Sequence, residues 1–215
     1  MTKRFVIIII GALIIIFGVS LFSSRTIAPN TKMTIKSSAF EENGKIPKKY
    51  TCDGSPPSAP SGGGGINPPL EITGIPEGTK SLAFIMDDPD APRGTFTHWV
   101  MWDMKPVTEK FYIEENFNSV PEETPIPNPD TGKIPSFEMP TEGVNSAGKI
   151  GYIGPCPPPG KPHRYFFKVY ALDMENLLPS IPGGELEFNL DDIDLLKQIQ
   201  GHILDHAELI GIYER

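Results

Sequence analysis

Proline and glycine interrupt this chain so often that long helices are excluded from most of it. The 215 residues contain 24 prolines and 21 glycines, and a proline inside a helix removes a hydrogen bond and clashes with the preceding turn. Between these interruptions lie short runs of strand length with strand-like composition. The candidate strands are Thr34–Lys36, Ser81–Met86, Thr97–Met104, Tyr165–Leu172 and Ala207–Tyr213. The pattern predicts a mainly β fold in which two sheets form a sandwich.

Side-chain alternation indicates which residues of these strands are buried. Along the fourth candidate strand, Tyr165, Phe167, Val169 and Ala171 fall on one face, because successive side chains of a strand point to opposite sides. Trp99 and Trp102 are interpreted as core residues of the third strand.

One helix is predicted near the carboxyl end of the chain. Asn189 or Asp191 would cap its amino end, where a side-chain oxygen accepts a hydrogen bond from a free backbone N–H. A stripe of apolar residues at helical spacing marks the face that we expect to be buried. Its members are Ile193, Leu196, Ile199 and Ile203.

The amino-terminal segment has the pattern of a membrane helix. Lys3 and Arg4 precede an uncharged, isoleucine-rich run from Phe5 to Phe22, which is about long enough to cross a bilayer, since roughly 17–25 residues are needed. The two cations hold the amino end in the cytoplasm and place the rest outside. An uncleaved anchor is favoured over a cleaved signal peptide, because Leu21–Ser23 makes no clean cleavage site.

This division gives three parts: an anchor or signal peptide at 1–24, a tether at 25–32 and a domain at 33–215. The expected location is the membrane, with a single span and the domain outside the cytoplasm. After signal cleavage the domain would instead be secreted or periplasmic.

The charge of the chain argues against one class of partner. The net charge is −8, and the body of the chain has no run of lysine or arginine. Binding to nucleic acid needs a basic stripe that neutralises phosphates. We therefore expect no nucleic-acid partner.

Two proline-rich segments carry the acids and histidines of a candidate pocket. Met86–Pro92 (MDDPDAP) is followed by His98, and Gly154–Pro158 (GPCPP) is followed by His163. Proline stiffens such turns and fixes the direction of the side chains within them. A histidine beside a carboxylate can be held protonated, and an imidazolium donates two hydrogen bonds to an anionic oxygen. The pattern indicates a pocket for a phosphate, sulfate or carboxylate group.

The same segments resemble the phosphatidylethanolamine-binding protein family, also called Raf kinase inhibitor-like, and in particular its bacterial and archaeal branch. The resemblance runs in the family's order from Met33 to the last residue. Further matching blocks are Tyr50–Gly54 (YTCDG), Pro68–Leu70 (PPL), Gly148–Tyr152 (GKIGY), and Gly201–Leu204 (GHIL) with Glu208–Arg215 (ELIGIYER). The resemblance implies a large antiparallel sheet packed on a smaller one with few short helices, preceded here by the predicted transmembrane helix.

The resemblance also implies a small anion pocket that binds phosphate or a phospholipid head group. Carried over position by position, its residues are Asp88, His98, Gly154, Pro155, His163 and Tyr165. Asp90 is expected to brace the turn, and Arg164 to pair with a carboxylate such as that of Asp90. No catalytic residue, metal or cofactor is implied.

We expect a membrane-tethered, extracytoplasmic binding domain rather than an enzyme. Neither motif contains a serine, and the chain has no Gly-x-Ser-x-Gly elbow. The alternative is a regulator or inhibitor of a protein partner such as a kinase or protease, as some relatives are. A metal-dependent enzyme is a minor alternative, since histidine, aspartate and Cys156 are zinc ligands, although the residues of the two motifs include no closely spaced ligand pair. On the residues alone, His98 would more often be a hydrogen-bonded core histidine.

Two further features keep alternatives open. Cys52 and Cys156 could form a disulfide outside the cytoplasm, or remain as small buried thiols. The stretches 55–65 and 114–142 exceed the family pattern, and their glycine, proline and acidic composition predicts loops.

Overall fold

The computed structural model describes residues 32–54, 66–117, 140–177 and 191–215. The predicted anchor at 1–24 lies outside the described residues, as do the stretch 55–65, most of the stretch 114–142 and the candidate cap Asn189. Within the described ranges, no helix is both long and apolar enough to span a membrane.

Nine strands and one α-helix form the regular structure of the described ranges, which confirms a mainly β fold. The strands in chain order are β1 (Thr34–Lys36), β2 (Gly44–Lys45), β3 (Leu70–Thr73), β4 (Ser81–Asp88), β5 (Phe96–Met104), β6 (Lys110–Ile113), β7 (Thr141–Glu142), β8 (His163–Leu172) and β9 (Ile203–Tyr213). Helix α1 (Asp192–Ile199) lies between β8 and β9, and a single 3-10 turn spans Lys48–Tyr50.

The strands form two sheets, as the resemblance implied. The small sheet has the order β1-β3-β6 and the large sheet the order β2-β9-β8-β4-β5-β7. One detail corrects the expected all-antiparallel arrangement, because β2 pairs with β9 in parallel. This two-residue strand is too short to leave a pattern in the sequence; Asn43 and Ile46 dock it by donating backbone hydrogen bonds to the carbonyls of Ile210 and Ile212.

Two separate cores make β4 the central strand of the molecule. The larger core fills the space between the sheets, where the ring of Phe84 lies 5.3 Å from Trp99 and 6.5 Å from Phe167, centroid to centroid. The smaller core lies on the other face of the large sheet, where Ile85 and Trp102 pack with residues of α1. All eight residues of β4 are buried as a result. The predicted burial of both tryptophans is confirmed.

The alternation predicted for β8 is also confirmed. Tyr165, Phe167, Val169 and Ala171 have no exposed surface and belong to the core between the sheets. Their neighbours Phe166, Lys168 and Tyr170 are only partly buried on the opposite face.

Strand β5 contains two extra residues relative to its partner β4, and one of them lies at the candidate site. Met86 pairs with Trp99, whereas the next residue, Asp87, pairs with Thr97, so His98 is left over as a β-bulge. A bulge re-aims the side chains around it. Trp99 lies in the core between the sheets, and strict alternation would turn its neighbour His98 toward the opposite face. The bulge lets His98 reach the ring of Tyr165, which also faces the space between the sheets, at 5.3 Å between centroids.

Helix α1 begins as predicted but buries a different face. Asp191 is the N-cap, and its side chain accepts a hydrogen bond from the backbone N–H of Asp194. The predicted stripe is wrong at two of its positions, because Ile193 and Leu196 are 57% and 39% exposed. Leu195 and Ile199, four residues apart, are the buried pair. Ile203 is not part of the helix, which ends at Ile199 and is followed by β9.

Replacing Leu195 by alanine should test the smaller core. Leu195 is fully buried, and a large-to-small change in a core costs about 2–5 kcal/mol. The free energy of unfolding, measured by urea titration, should fall by that amount in Leu195→Ala. Leu196→Ala on the same helix is the matched control and should cost less than about 1 kcal/mol, because Leu196 is partly exposed. Equal losses in the two variants would contradict this assignment of the helix face.

Candidate functional site

The candidate site lies where β4 ends and β8 begins. The two strands are antiparallel neighbours in which Asp87 pairs with Phe166, so the last residue of β4 and the first of β8 meet at the same edge of the sheet. These residues are Asp88 and His163. The structure therefore brings together the acid of the first motif and the histidine of the second, which are 75 positions apart.

Asp88 and His163 form a buried pair. Nδ1 of His163 lies 2.7 Å from Oδ2 of Asp88, and the two side chains are only 3% and 5% exposed. The other carboxylate oxygen of Asp88 accepts a hydrogen bond from the backbone N–H of Asp90 at 2.9 Å. A carboxylate with two such partners accepts on both oxygens, so the Nδ1 hydrogen of His163 points at Asp88. The other ring nitrogen, Nε2, has no hydrogen-bond partner in the described chain.

His98 is held through a backbone carbonyl instead of a carboxylate. Its Nδ1 lies 2.7 Å from the carbonyl oxygen of Ile153, and a carbonyl only accepts, so Nδ1 carries the hydrogen. Burial lowers the pKa of His98 to about 4, although the Ile153 carbonyl and the charge of Asp88 act in the opposite direction. His98 is therefore neutral near pH 7. The sequence suggested two imidazolium rings, and for His98 that is wrong, because burial outweighs the neighbouring carboxylate.

Tyr165 contributes a hydroxyl group that has no partner. Among the described residues, its hydroxyl oxygen is the one buried side-chain polar atom without a hydrogen bond. Burial raises the pKa of Tyr165 well above its usual value, and the nearby carboxylate of Asp88 adds to the effect. The hydroxyl therefore keeps its hydrogen, and the carboxylate of Asp88, which is close enough to affect its pKa, makes no hydrogen bond of ordinary geometry with it. An unpaired buried hydroxyl costs about 1–3 kcal/mol, which a bound group could offset.

Asp90 and Arg164 brace the two motifs from outside the pair, as predicted. Arg164 donates from Nε and from a terminal guanidinium nitrogen to the two carboxylate oxygens of Asp90, each at 2.8 Å. The backbone N–H of Arg164 donates to the same carboxylate at 3.0 Å. These bonds lower the pKa of Asp90 to about 2. Two of the five guanidinium N–H groups of Arg164 are thus held by Asp90.

Gly154 and Pro155 are buried next to the residue that holds His98. The carbonyl of Pro155 accepts a hydrogen bond from the backbone N–H of Cys52 at 3.1 Å. Cys52 and Cys156 are joined in a disulfide, so this part of the second motif is bound both covalently and through its backbone to the segment that precedes Gly54. The alternative of two buried thiols is excluded in the structure.

Sequence reasoning missed a second polar contact at this edge. The hydroxyl of Tyr213 donates to Asp53 at 2.6 Å, and Arg215 forms an ion pair with the same carboxylate at 3.2 Å. Tyr213 pairs with His163 across β8 and β9. Both residues lie in matching blocks of the sequence, which was the available signal. The carbonyl of Ile153 left no signal, since any residue supplies one.

The described residues offer no metal centre. No group of three or more histidine, cysteine, aspartate or glutamate side chains among them is placed to hold a metal ion, and the sulfur of Cys156 is in the disulfide. A cleft of about 660 Å³ lies elsewhere, between β1 and the middle of β9. It contains none of the predicted site residues, so we assign the site from its buried polar groups rather than from cleft size.

Removing the carboxylate of Asp90 should weaken the brace in a pH-dependent way. The pKa of Asp90 falls from 3.8 to about 2 in the folded chain, so its contribution is complete above about pH 4 and is lost as the pH falls toward 2. Because Arg164 is half exposed, we expect Asp90→Asn to lose on the order of 1 kcal/mol of unfolding free energy at pH 7.

Urea titrations from neutral to acidic pH provide the measurement. The difference between wild type and Asp90→Asn should shrink as the pH falls from about 4 and disappear below the folded pKa of about 2. Glu77→Gln, at an exposed turn position, is the control and should show no such difference. A deficit of Asp90→Asn that stays constant with pH would contradict the ion-pair explanation.

Known proteins resemble this chain over most of its length. The model of the family described as phosphatidylethanolamine-binding protein matches residues 36–214. A UPF0098 protein of Methanothermobacter thermautotrophicus is 42% identical over 183 residues, which cover 85% of this chain and 99% of that protein. A UPF0098 protein of Pyrococcus horikoshii is 44% identical over 187 residues, covering 86% of this chain and 78% of that one.

Two solved structures are similar to the described fold. One is a putative phosphatidylethanolamine-binding protein homolog from Chlamydia trachomatis, with a TM-score of 0.63 and 34% identity over 86% of this chain and 98% of that one. The other is YbcL of E. coli, described as a member of the mammalian family, with a TM-score of 0.63 and 26% identity over 86% of this chain and 99% of that one. Because the family model matches most of this chain, the chain belongs to the phosphatidylethanolamine-binding protein family.

Proposed function

We propose that this protein is a binding module whose pocket at the end of β4 takes a small phosphate-like anion. The observation that supports it best is the Tyr165 hydroxyl, which is buried without a partner beside the Asp88–His163 pair. Buried polar groups of folded proteins are normally hydrogen-bonded, and an exception calls for an explanation such as a ligand. A ligand oxygen that accepts from this hydroxyl would supply the missing bond.

The pocket is suited to binding rather than to catalysis. A nucleophile or an activated water would be needed for hydrolysis, and neither motif contains a serine while Cys156 is held in the disulfide. In each of the two histidines, Nδ1 is hydrogen-bonded to an oxygen of the protein, the Ile153 carbonyl for His98 and the Asp88 carboxylate for His163. Their role in the proposal is to position Nε2 toward a ligand.

We further propose that the domain works outside the cytoplasm, tethered by the amino-terminal apolar run. The disulfide between Cys52 and Cys156 supports this, because disulfides persist in oxidising compartments and are rare in the cytosol. The apolar run from Phe5 to Phe22 has the length of a membrane span. Location and pocket chemistry together favour a ligand met at or near the membrane surface.

Removing the Tyr165 hydroxyl should separate binding from stability. Tyr165→Phe removes no hydrogen bond of ordinary geometry, although the carboxylate of Asp88 lies close enough to act on this hydroxyl, so the free energy of unfolding should change by less than about 1 kcal/mol. Binding of inorganic phosphate, measured by calorimetry near pH 6, should weaken by about tenfold, since one donor to the anion is lost.

The matched control for this variant lies on the same strand. Tyr170 is on β8, on the face opposite to Tyr165, so Tyr170→Phe should leave phosphate binding unchanged. Unaltered binding in Tyr165→Phe would refute the placement of the anion. His163→Ala is less informative, because this buried, hydrogen-bonded side chain would also cost stability by leaving Asp88 unpaired.

The membrane tether makes a separate prediction. An uncleaved anchor should keep the full-length chain in the membrane fraction through carbonate washing, since a spanning helix does not depend on charge for its attachment. Mass spectrometry of the purified chain should then give a mass that includes Lys3 and Arg4. A soluble product that begins near Ser23 would show signal cleavage instead.

A further inference from the structure

Hydrogen positions in the pocket are fixed by the groups that hold the two histidines. The carbonyl of Ile153 can only accept, so Nδ1 of His98 carries a hydrogen. The ring is neutral near pH 7 because it is buried. A neutral imidazole has one hydrogen, and therefore Nε2 of His98 presents a lone pair. This nitrogen has no partner in the described chain and is not among its fully buried unpaired atoms, so it is open to a ligand.

A nitrogen lone pair in an anion pocket distinguishes ligand oxygens that carry a hydrogen from those that do not. An oxygen without a hydrogen would place its own lone pair against Nε2 of His98, and two acceptors at contact repel and leave both groups unpaired. An oxygen that bears a hydrogen would donate to the same nitrogen. The ring of His98 lies 5.3 Å from that of Tyr165, centroid to centroid, so the acceptor nitrogen and the donor hydroxyl belong to side chains in contact.

The charges around the pocket act in the same direction. Asp88 is buried, and both of its oxygens are engaged as hydrogen-bond acceptors. Arg164, which directly follows His163, is committed to both oxygens of Asp90. A second negative charge on a ligand would be repelled by Asp88 without compensation from this arginine. A singly charged ligand avoids that cost.

We infer that the pocket selects a singly charged phosphate group that still carries an O–H, as in a phosphate monoester or free phosphate, over oxyanions of equal charge that lack the hydrogen. The inference rests on the proposed anion site and gives its ligand chemistry. In this arrangement, the ligand O–H donates to Nε2 of His98, and an ionised oxygen accepts from the hydroxyl of Tyr165.

An isosteric pair of ligands tests the hydrogen alone. Methyl phosphate has its second pKa near 6, so at about pH 5 it is a monoanion with one O–H; methyl sulfate has the same charge and shape and no O–H. Calorimetry with the purified full-length chain in detergent should show methyl phosphate binding about tenfold to a hundredfold more tightly than methyl sulfate. Inorganic phosphate distinguishes the two sources, since binding as tight as that of methyl phosphate would point to the free ion.

The variant His98→Gln and its control test the assigned acceptor. A glutamine amide offers a donor as well as an acceptor, so the ratio of the two affinities should fall toward one in His98→Gln. His206→Gln replaces an exposed histidine of β9 and should keep the wild-type ratio. The comparison of ligands on the wild-type chain stands even if His98→Gln fails to fold.

Each remaining outcome decides between this inference and the proposed function. Equal affinity for methyl phosphate and methyl sulfate would overturn the selectivity and leave the anion site in place. Absence of binding by every anion would overturn both. Glycerophosphoethanolamine is a diester without an acidic O–H; if it bound as tightly as methyl phosphate, its ammonium group would be the donor to His98 and the inference would be wrong.

Discussion

Strand β4 ends in two buried aspartates, Asp87 and Asp88. The other residues of the site supply the hydrogen-bond and ion-pair partners that these buried carboxylates require. An ionised carboxylate removed from water is costly unless it is hydrogen-bonded or paired with a cation. Asp87 meets Lys168 at 2.6 Å, and burial still raises the pKa of Asp87 despite that cation. Asp88 meets His163 and a backbone N–H. Both side-chain partners come from β8, so the pairing of β4 with β8 determines which groups surround the two aspartates.

The alternation of β4 sends these two carboxylates to different environments. Asp87 points to the face covered by α1, where its partner Lys168 is partly exposed to solvent. Asp88 points into the space between the sheets, where His163 and Tyr165 lie. One aspartate thus forms an ion pair at the sheet surface, while the other lies in the candidate site. Adjacent residues of the same type acquire separate roles through the two-residue period of the strand.

The sequence was sufficient to predict structure and site residues where a local pattern of residues determines them. Alternation identified the buried face of β8, and the paired motifs identified Asp88, His163 and the Asp90–Arg164 brace. The sequence was insufficient where contact with a residue far away in the chain determines burial or protonation. The helix face was missed because Leu195, rather than Leu196, meets the large sheet, and the protonation of His98 depends on burial and on a carbonyl 55 positions away. The disulfide likewise required two segments to be brought together in space.

The bulge in β5 makes the pocket depend on the number of residues as well as on their identity. With one residue fewer at this point, β5 could pair evenly with β4, but either Trp99 would leave the core or the histidine would turn toward α1. No substitution on a regular strand could place both rings between the sheets. When relatives are compared, a single-residue gap beside this histidine therefore signals a rebuilt pocket even where every motif letter is retained.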